Sequence, residues 1–157
     1  MALAAFSLAA AVAWARPDFK AFSPLLIDLP GFQGEKTQGM TMDVGAGPMT
    51  TATRVYRRGS TQVTASVIIG EAAKGALTPL TMHMRMETAE SHMLPANIGG
   101  FEALKNFTNA TNSGSVFVEL ADDALFSLEY TGLGEDEAVA LAQEFDLKSL
   151  QALATAK

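Results

Sequence analysis

The stretch TTATRVYRRGSTQVTASVII, residues 50–69, decides the fold class. Val63, Ala65, Val67 and Ile69 alternate there with Gln62, Thr64, Ser66 and Ile68. A period of two marks a strand with one buried face. Arg58-Gly59-Ser60 interrupts the run, and glycine accepts the positive φ that tight hairpin turns demand. The spacing therefore predicts a hairpin of Met49–Arg57 with Thr61–Ile69.

The same alternation recurs toward the C-terminus. FEALKNFT (101–108) has moderate strand character, whereas SVFVEL (115–120) puts Val116, Val118 and Leu120 on one side. ALFSLEYT (124–131) does likewise with Phe126, Leu128 and Tyr130, and Ala121-Asp122-Asp123 is a short connection rich in turn-forming aspartate. After Gly132-Leu133-Gly134 the period changes. Ala138, Leu141, Ala142 and Phe145 fall at i, i+3, i+4, i+7 of a helix led by Glu135-Asp136-Glu137, where acids suit the positive end of the helix dipole. Asp146 is placed to cap a last short helix through Leu147, Leu150 and Leu153.

Upstream of the hairpin, Phe19, Phe22, Leu25 and Leu26 suggest a short helical lead-in stopped by Pro30-Gly31. Residues 31–48 are glycine-rich and polar, the composition of a loop or an irregular edge strand. Residues 70–78 read as a glycine-bearing link. LTMHMRMETAESHM (80–93) fits two templates: Met82, Met84 and Met86 alternate at strand spacing, while Met82, Met86, Ala89 and Met93 fall on one helical stripe. Thr78-Pro79 at one end and Pro95 beyond the other favour a helix over about 79–92. Strand runs with helices between and after them predict an α+β fold. The expected form is a single layered domain over 16–157, an antiparallel sheet of about five strands packed against helices.

Composition narrows the function classes. With 48% hydrophobic and 18% charged residues in 157, the chain can bury a substantial core. A net charge of −6 and a pI of about 4.8 argue against a nucleic-acid partner, which needs a basic face. MALAAFSLAAAVAWA (1–15) is apolar and uncharged and ends Ala13-Trp14-Ala15 before Arg16-Pro17. That pattern is expected of a cleaved export signal, although it lacks the leading basic residue, and it is short for a membrane span. No stable span is expected after cleavage. The absence of cysteine rules out a disulfide framework and thiolate chemistry. A periplasmic or secreted bacterial protein fits these facts.

Two residue groups carry candidate chemistry. Met82, Met86, His83 and His92 offer thioether and imidazole ligands to a soft ion such as copper. A hard-metal set of His83, Glu87 and Glu90 on one helical face is a weaker alternative. The competing reading, that the methionine stripe fills the interior, is the stronger, because thioethers commonly plug irregular core gaps. In that reading no cofactor is needed. Arg54, Arg57 and Arg58 with Tyr56 form the basic cluster of an acidic chain, suited to an anion or an acidic partner. Signatures of hydrolase elbows, zinc proteases and phosphate loops are absent, and Gly45-Ala46-Gly47 is followed by proline rather than by a helix.

LPGFQGE entering the sheet, GFEAL restarting it, and SVFVELADDALFSLEYTGL leading into a terminal helix resemble small exported bacterial proteins of unassigned function. At fold level the order is similar to the PsbP-like α/β domains, over about residues 25–155. The resemblance implies a layered sheet with helices and a binding or accessory role, and it transfers no catalytic residue. The resulting expectation is a non-catalytic envelope protein binding a partner or small ligand. Periplasmic copper binding and an enzyme of unrecognised type are the alternatives.

Overall fold

The computed structural model describes residues 16–45 and 47–156; the predicted export segment lies outside them. Helix α1 (Phe19–Phe22) leads through a 3-10 turn into β1 (Gln33–Gly34), β2 (Gln38–Val44), β3 (Gly47–Arg58) and β4 (Thr61–Ile69). Helix α2 (Glu71–Thr81) precedes β5 (Met86–Glu87), β6 (Ser91–Ile98) and β7 (Phe101–Thr108). After β8 (Ser113–Ala121) and β9 (Ala124–Thr131) come α3 (Glu135–Glu144) and α4 (Leu147–Ala154).

The strands form one nine-stranded sheet in the order β1-β3-β4-β9-β8-β7-β6-β5, with β2 pairing β3 along the edge that β1 also uses. Every pairing is antiparallel. The class is α+β as expected, but nine strands replace about five. The additional strands are β1, β2, β5 and β6, all near the margins of the sheet. Their sequences hide them: an edge strand is solvated on both faces, so QGMTMDV and SHMLPANI show no clean alternation.

The β3–β4 hairpin forms as its pattern predicts, Arg58 facing Thr61 across Gly59-Ser60. Gly59 takes φ +59°, the left-handed region in which a Cβ is penalised. Alternation then sorts the side chains. Tyr56, Val63, Ala65, Val67, Val116, Val118, Phe126 and Leu128 point to the first face and are buried with Phe22 and Leu26. Ala138 and Ala142 of α3 and Leu150 of α4 close that face from above. The Phe145 ring, between the two helices, lies 4.9 Å from the ring of Phe126. Asp146 caps α4 as expected, accepting from the Ser149 amide at 3.0 Å.

The second face is only partly covered. Helix α2 lays Ala73, Leu77 and Leu80 on Leu104 and Leu125, with Phe117, Ile68 and Met93 at the margin. The predicted helix over 79–92 is thereby corrected: the helix spans 71–81, and 86–98 is a β5–β6 hairpin. The physical reason is the end of α2. The His83 amide bonds to Leu80 O at 2.9 Å and the Met84 amide to Pro79 O at 2.9 Å, with His83 at φ +52°. This is a Schellman termination with histidine in the left-handed position usually held by glycine. It stops the helix at the point where the sequence pattern appeared to start one. Among the described residues no helix is long and apolar enough to cross a membrane.

Candidate functional site

Among the described residues nothing beyond α2 covers the second face of the sheet. Because paired residues share a face, the registers place Thr64, Glu129, Ser115 and Asn106 in one row. The next row holds Gln62, Thr131, Ser113 and Thr108. These eight residues line a shallow concavity of about 340 Å³. Its groups are hydroxyls and amides, and Glu129 is the charged group among the lining residues. Several are already oriented: Asn106 Oδ1 accepts from the Ser115 amide at 3.0 Å, and Gln62 Oε1 accepts from Arg57 at 2.7 Å. Farther along the face Thr53 and Ser66 share a 3.0 Å hydroxyl bond. Such an arrangement can hydrogen-bond a polar molecule in many orientations. These residues were not singled out from sequence, where they are simply the outward positions of alternating strands.

On the first face, His92, Phe107 and Tyr130 form an aromatic ladder. Phe107 stacks on Tyr130 at 6.4 Å between centroids and His92 tilts against Phe107 at 6.0 Å. Gly114 permits this, since an added Cβ would lie 2.6 Å from the Tyr130 hydroxyl. At the end of the ladder Glu135, the first residue of α3, accepts from Lys105 Nζ at 2.6 Å and contacts His92 Nε2. Burial alone would raise the Glu135 carboxyl, but the bonds and charges of Lys105 and His92 prevail and hold it below the usual glutamate range. The Tyr130 hydroxyl is pushed up to about 12, first by burial and then by the Glu135 charge. His92 is thus engaged in joining α3 to the β6–β7 hairpin.

Each cation of the arginine cluster meets a carboxylate of its own chain. Arg54 donates to Leu26 O at 2.6 Å and Glu35 O at 2.8 Å and pairs with Asp28. Arg57 meets Glu35 at 2.9 Å, and Arg58 meets Glu137 at 2.8 Å. Tyr56 is buried and donates to Ile27 O at 2.7 Å. Burial leads in raising its hydroxyl to about 12, against the opposing charge of Arg54. Arg54, Arg57 and Tyr56 thus clamp the N-terminal segment 26–35 onto β3, and Arg58 ties β3 to α3.

No protein-family model matches the chain. Comparison with curated proteins and with solved structures likewise returns no match. Function must therefore be argued from the chain's own groups.

The metal candidates Met82, Met86, His83 and His92 do not stay together. Glu87 faces His92 and Met86 faces Met93 across the β5–β6 pair, so the His92 imidazole and the Met86 thioether lie on opposite faces. His83 sits at the end of α2 and lines a largely apolar recess of about 240 Å³ with Leu80, Pro95 and Leu104. The expected interior role of the methionines is also corrected. Met82, Met84 and Met86 are 66%, 43% and 46% exposed, and of this segment's methionines only Met93 packs against the α2 core. They escape burial because the helix that would have turned them inward ends before them. Among the described residues no three His, Asp or Glu side chains gather as a hard-metal site.

Proposed function

We propose that the protein is a non-catalytic binding domain of the bacterial envelope, exported through residues 1–15, that takes a polar ligand or partner on the bare part of its second sheet face. The observation that carries this reading is the concavity lined by hydroxyl and amide groups between Gln62, Asn106 and Glu129. A sheet normally buries one face and may solvate the other, but here the uncovered part is recessed rather than flat. The two histidines lie elsewhere, His92 held by Glu135 and His83 at a helix end, which supports binding over proton-transfer chemistry. Pairing of Arg54, Arg57 and Arg58 within the chain supports a neutral or cationic ligand over a phosphate-bearing one.

The test is an amide NMR titration of the described chain against neutral saccharides and short peptides. One or more probes should move Gln62, Thr64, Ser113–Ser115 and Thr131 together and saturably. A Thr64→Arg substitution, which fills the concavity and adds a cation, should abolish the response. If no probe of the panel produces a saturable shift there, the reading falls. Export is tested by N-terminal sequencing: a mature chain beginning near Arg16 in the periplasm supports it, and an intact Met1 in the cytoplasm refutes it.

A further inference from the structure

We propose that the recess at the C-terminal end of α2 binds a small amphiphilic cation, a compact apolar body carrying one ammonium group. The recess shares no lining residue with the polar concavity, so this inference stands apart from the polar-ligand reading.

Register and helix packing build the recess. Pro95 is paired with Leu104 and Asn97 with Glu102, and residues two apart along a strand share a face. Leu104 lies under α2 together with Leu80, so all four strand residues face the side on which the helix rests. The helix covers only part of this stretch: Leu80 and Leu104 are buried, whereas Pro95, Asn97 and Glu102 are exposed. His83, just past the helix end, lines the same space of about 240 Å³. A mostly apolar hollow with a few polar groups is the general form of a small-molecule site. An apolar cavity of about 150 Å³ accepts benzene, so this one admits a ring with a short side chain.

Electrostatics selects the head group. Glu102 brings a carboxylate to the lining, which holds no lysine or arginine. Neither Glu102 nor its neighbour Glu119 has an ion-pair partner among the described residues. Lys148, which lines a wider groove beside them, bonds to neither. Burial pushes the Glu119 carboxyl up, and the charge of Glu102 pushes it further, so a cation at Glu102 would relieve that repulsion. An ammonium offers three donors and no acceptor. The Glu102 carboxylate, an imidazole nitrogen of His83 and the Asn97 carbonyl oxygen, which takes the Gly100 amide at 3.1 Å through one lone pair, are the matching acceptors.

The backbone gives an independent reason to single out His83. Its φ of +52° is the conformation in which glycine ends a helix at lower cost. Strain of this kind concentrates at ligand clamps, and an imidazole beside the recess accounts for a histidine in glycine's place.

The experiment is an amide and methyl NMR titration of the described chain at neutral pH with phenethylamine, phenethyl alcohol and phenylacetate, which differ in charge but little in shape. The amine should shift the Leu80 and Leu104 methyls and the Asn97 and Glu102 amides saturably. The alcohol should bind about tenfold more weakly, the scale of one hydrogen bond to a charged group, and the acid should give no saturable shift. Glu102→Gln should weaken the amine by about the same factor and leave the alcohol unchanged. His83→Gly should also weaken the amine, although its urea midpoint stays at or above that of wild type. Asp136→Asn, at an exposed carboxylate of α3, should bind as wild type does. Equal binding of amine, alcohol and acid, undiminished affinity in Glu102→Gln, or amine shifts confined to Gln62 and Thr64 would each overturn the assignment. So would the absence of any saturable amine shift at the recess.

Discussion

Replacing Glu135 with glutamine probes the junction between α3 and the sheet. Glu135 and Lys105 expose 16% and 24% of their side chains and meet at 2.6 Å, and His92, 27% exposed, contacts the other carboxylate oxygen. The substitution keeps shape but removes the charge that both donors face. An exposed pair contributes at most about 1 kcal/mol and breaking a fully buried one costs about 3–5. For this half-buried triad a loss of roughly 2 kcal/mol at neutral pH is expected, in line with hydrogen bonds to charged groups. For a chain of this length that lowers the melting temperature by about 4–8 °C. The pH dependence sharpens the test. Because the folded carboxyl is held below its ordinary range, its stabilisation is complete above the unfolded glutamate value and is lost as pH falls through the folded one. Thermal melts of wild type and Glu135→Gln should therefore differ fully at pH 7, converge from about pH 4.5 downward, and coincide once Glu135 is protonated in both states. Spectrophotometric titration should also show Tyr130 ionising at lower pH in the variant, since one of the two causes of its elevation is gone. A gap that persists unchanged at pH 3, or no gap at pH 7, would show that Glu135 acts through packing and refute the electrostatic account.

Two further substitutions test other junctions. Arg54→Met removes the donor that holds Leu26 O, Glu35 O and Asp28, so limited proteolysis should cut within residues 26–37 markedly faster, with about 1–3 kcal/mol lost in urea denaturation; unchanged cleavage would disprove the clamp. His83→Gly relieves a left-handed L-residue at the end of α2 and should raise stability by about 0.5–1 kcal/mol in the same assay; a decrease would mean that the imidazole makes a contact worth more than the backbone strain.

Much of the fold was legible because burial was one-sided. Val63, Ala65 and Val67 alternate cleanly since β4 is solvated on the face where Gln62 and Thr64 lie. The α3–α4 pair was legible through Asp146, which caps the second helix. Helix α2 was not, for three local reasons. Its N-cap is Gly70 without a side-chain bond, Gly75 lies mid-helix, and Pro79 falls in the last turn rather than the first. Strand β6 was obscured by Pro95, which normally argues against a strand. It is tolerated where β6 has run past β5, which pairs only His92 and Met93, so that Pro95 has a neighbouring strand on one side alone.

The candidate sites were legible to a different degree, because period tells which side a residue faces but not what will cover that side. Gln62 and Thr64 could be assigned outward from alternation alone. That they border a recess depends on α2 covering Leu104 and Leu125 and leaving the rows of Asn106 and Glu129 open, which alternation cannot show. The length of α2 does decide the methionines. Had the chain stayed helical through residue 92, Met82, Met86 and Met93 would have formed a single stripe of the kind that packs inward. The turn at His83 ends the helix eleven residues after it begins. That turn leaves Met82, Met84 and Met86 in solvent, sets Met86 against Met93, and sends His92 to the opposite face. One left-handed residue without glycine's signature thus ends α2 and lets the chain turn into the β5–β6 hairpin, a change of period that alternation alone does not mark.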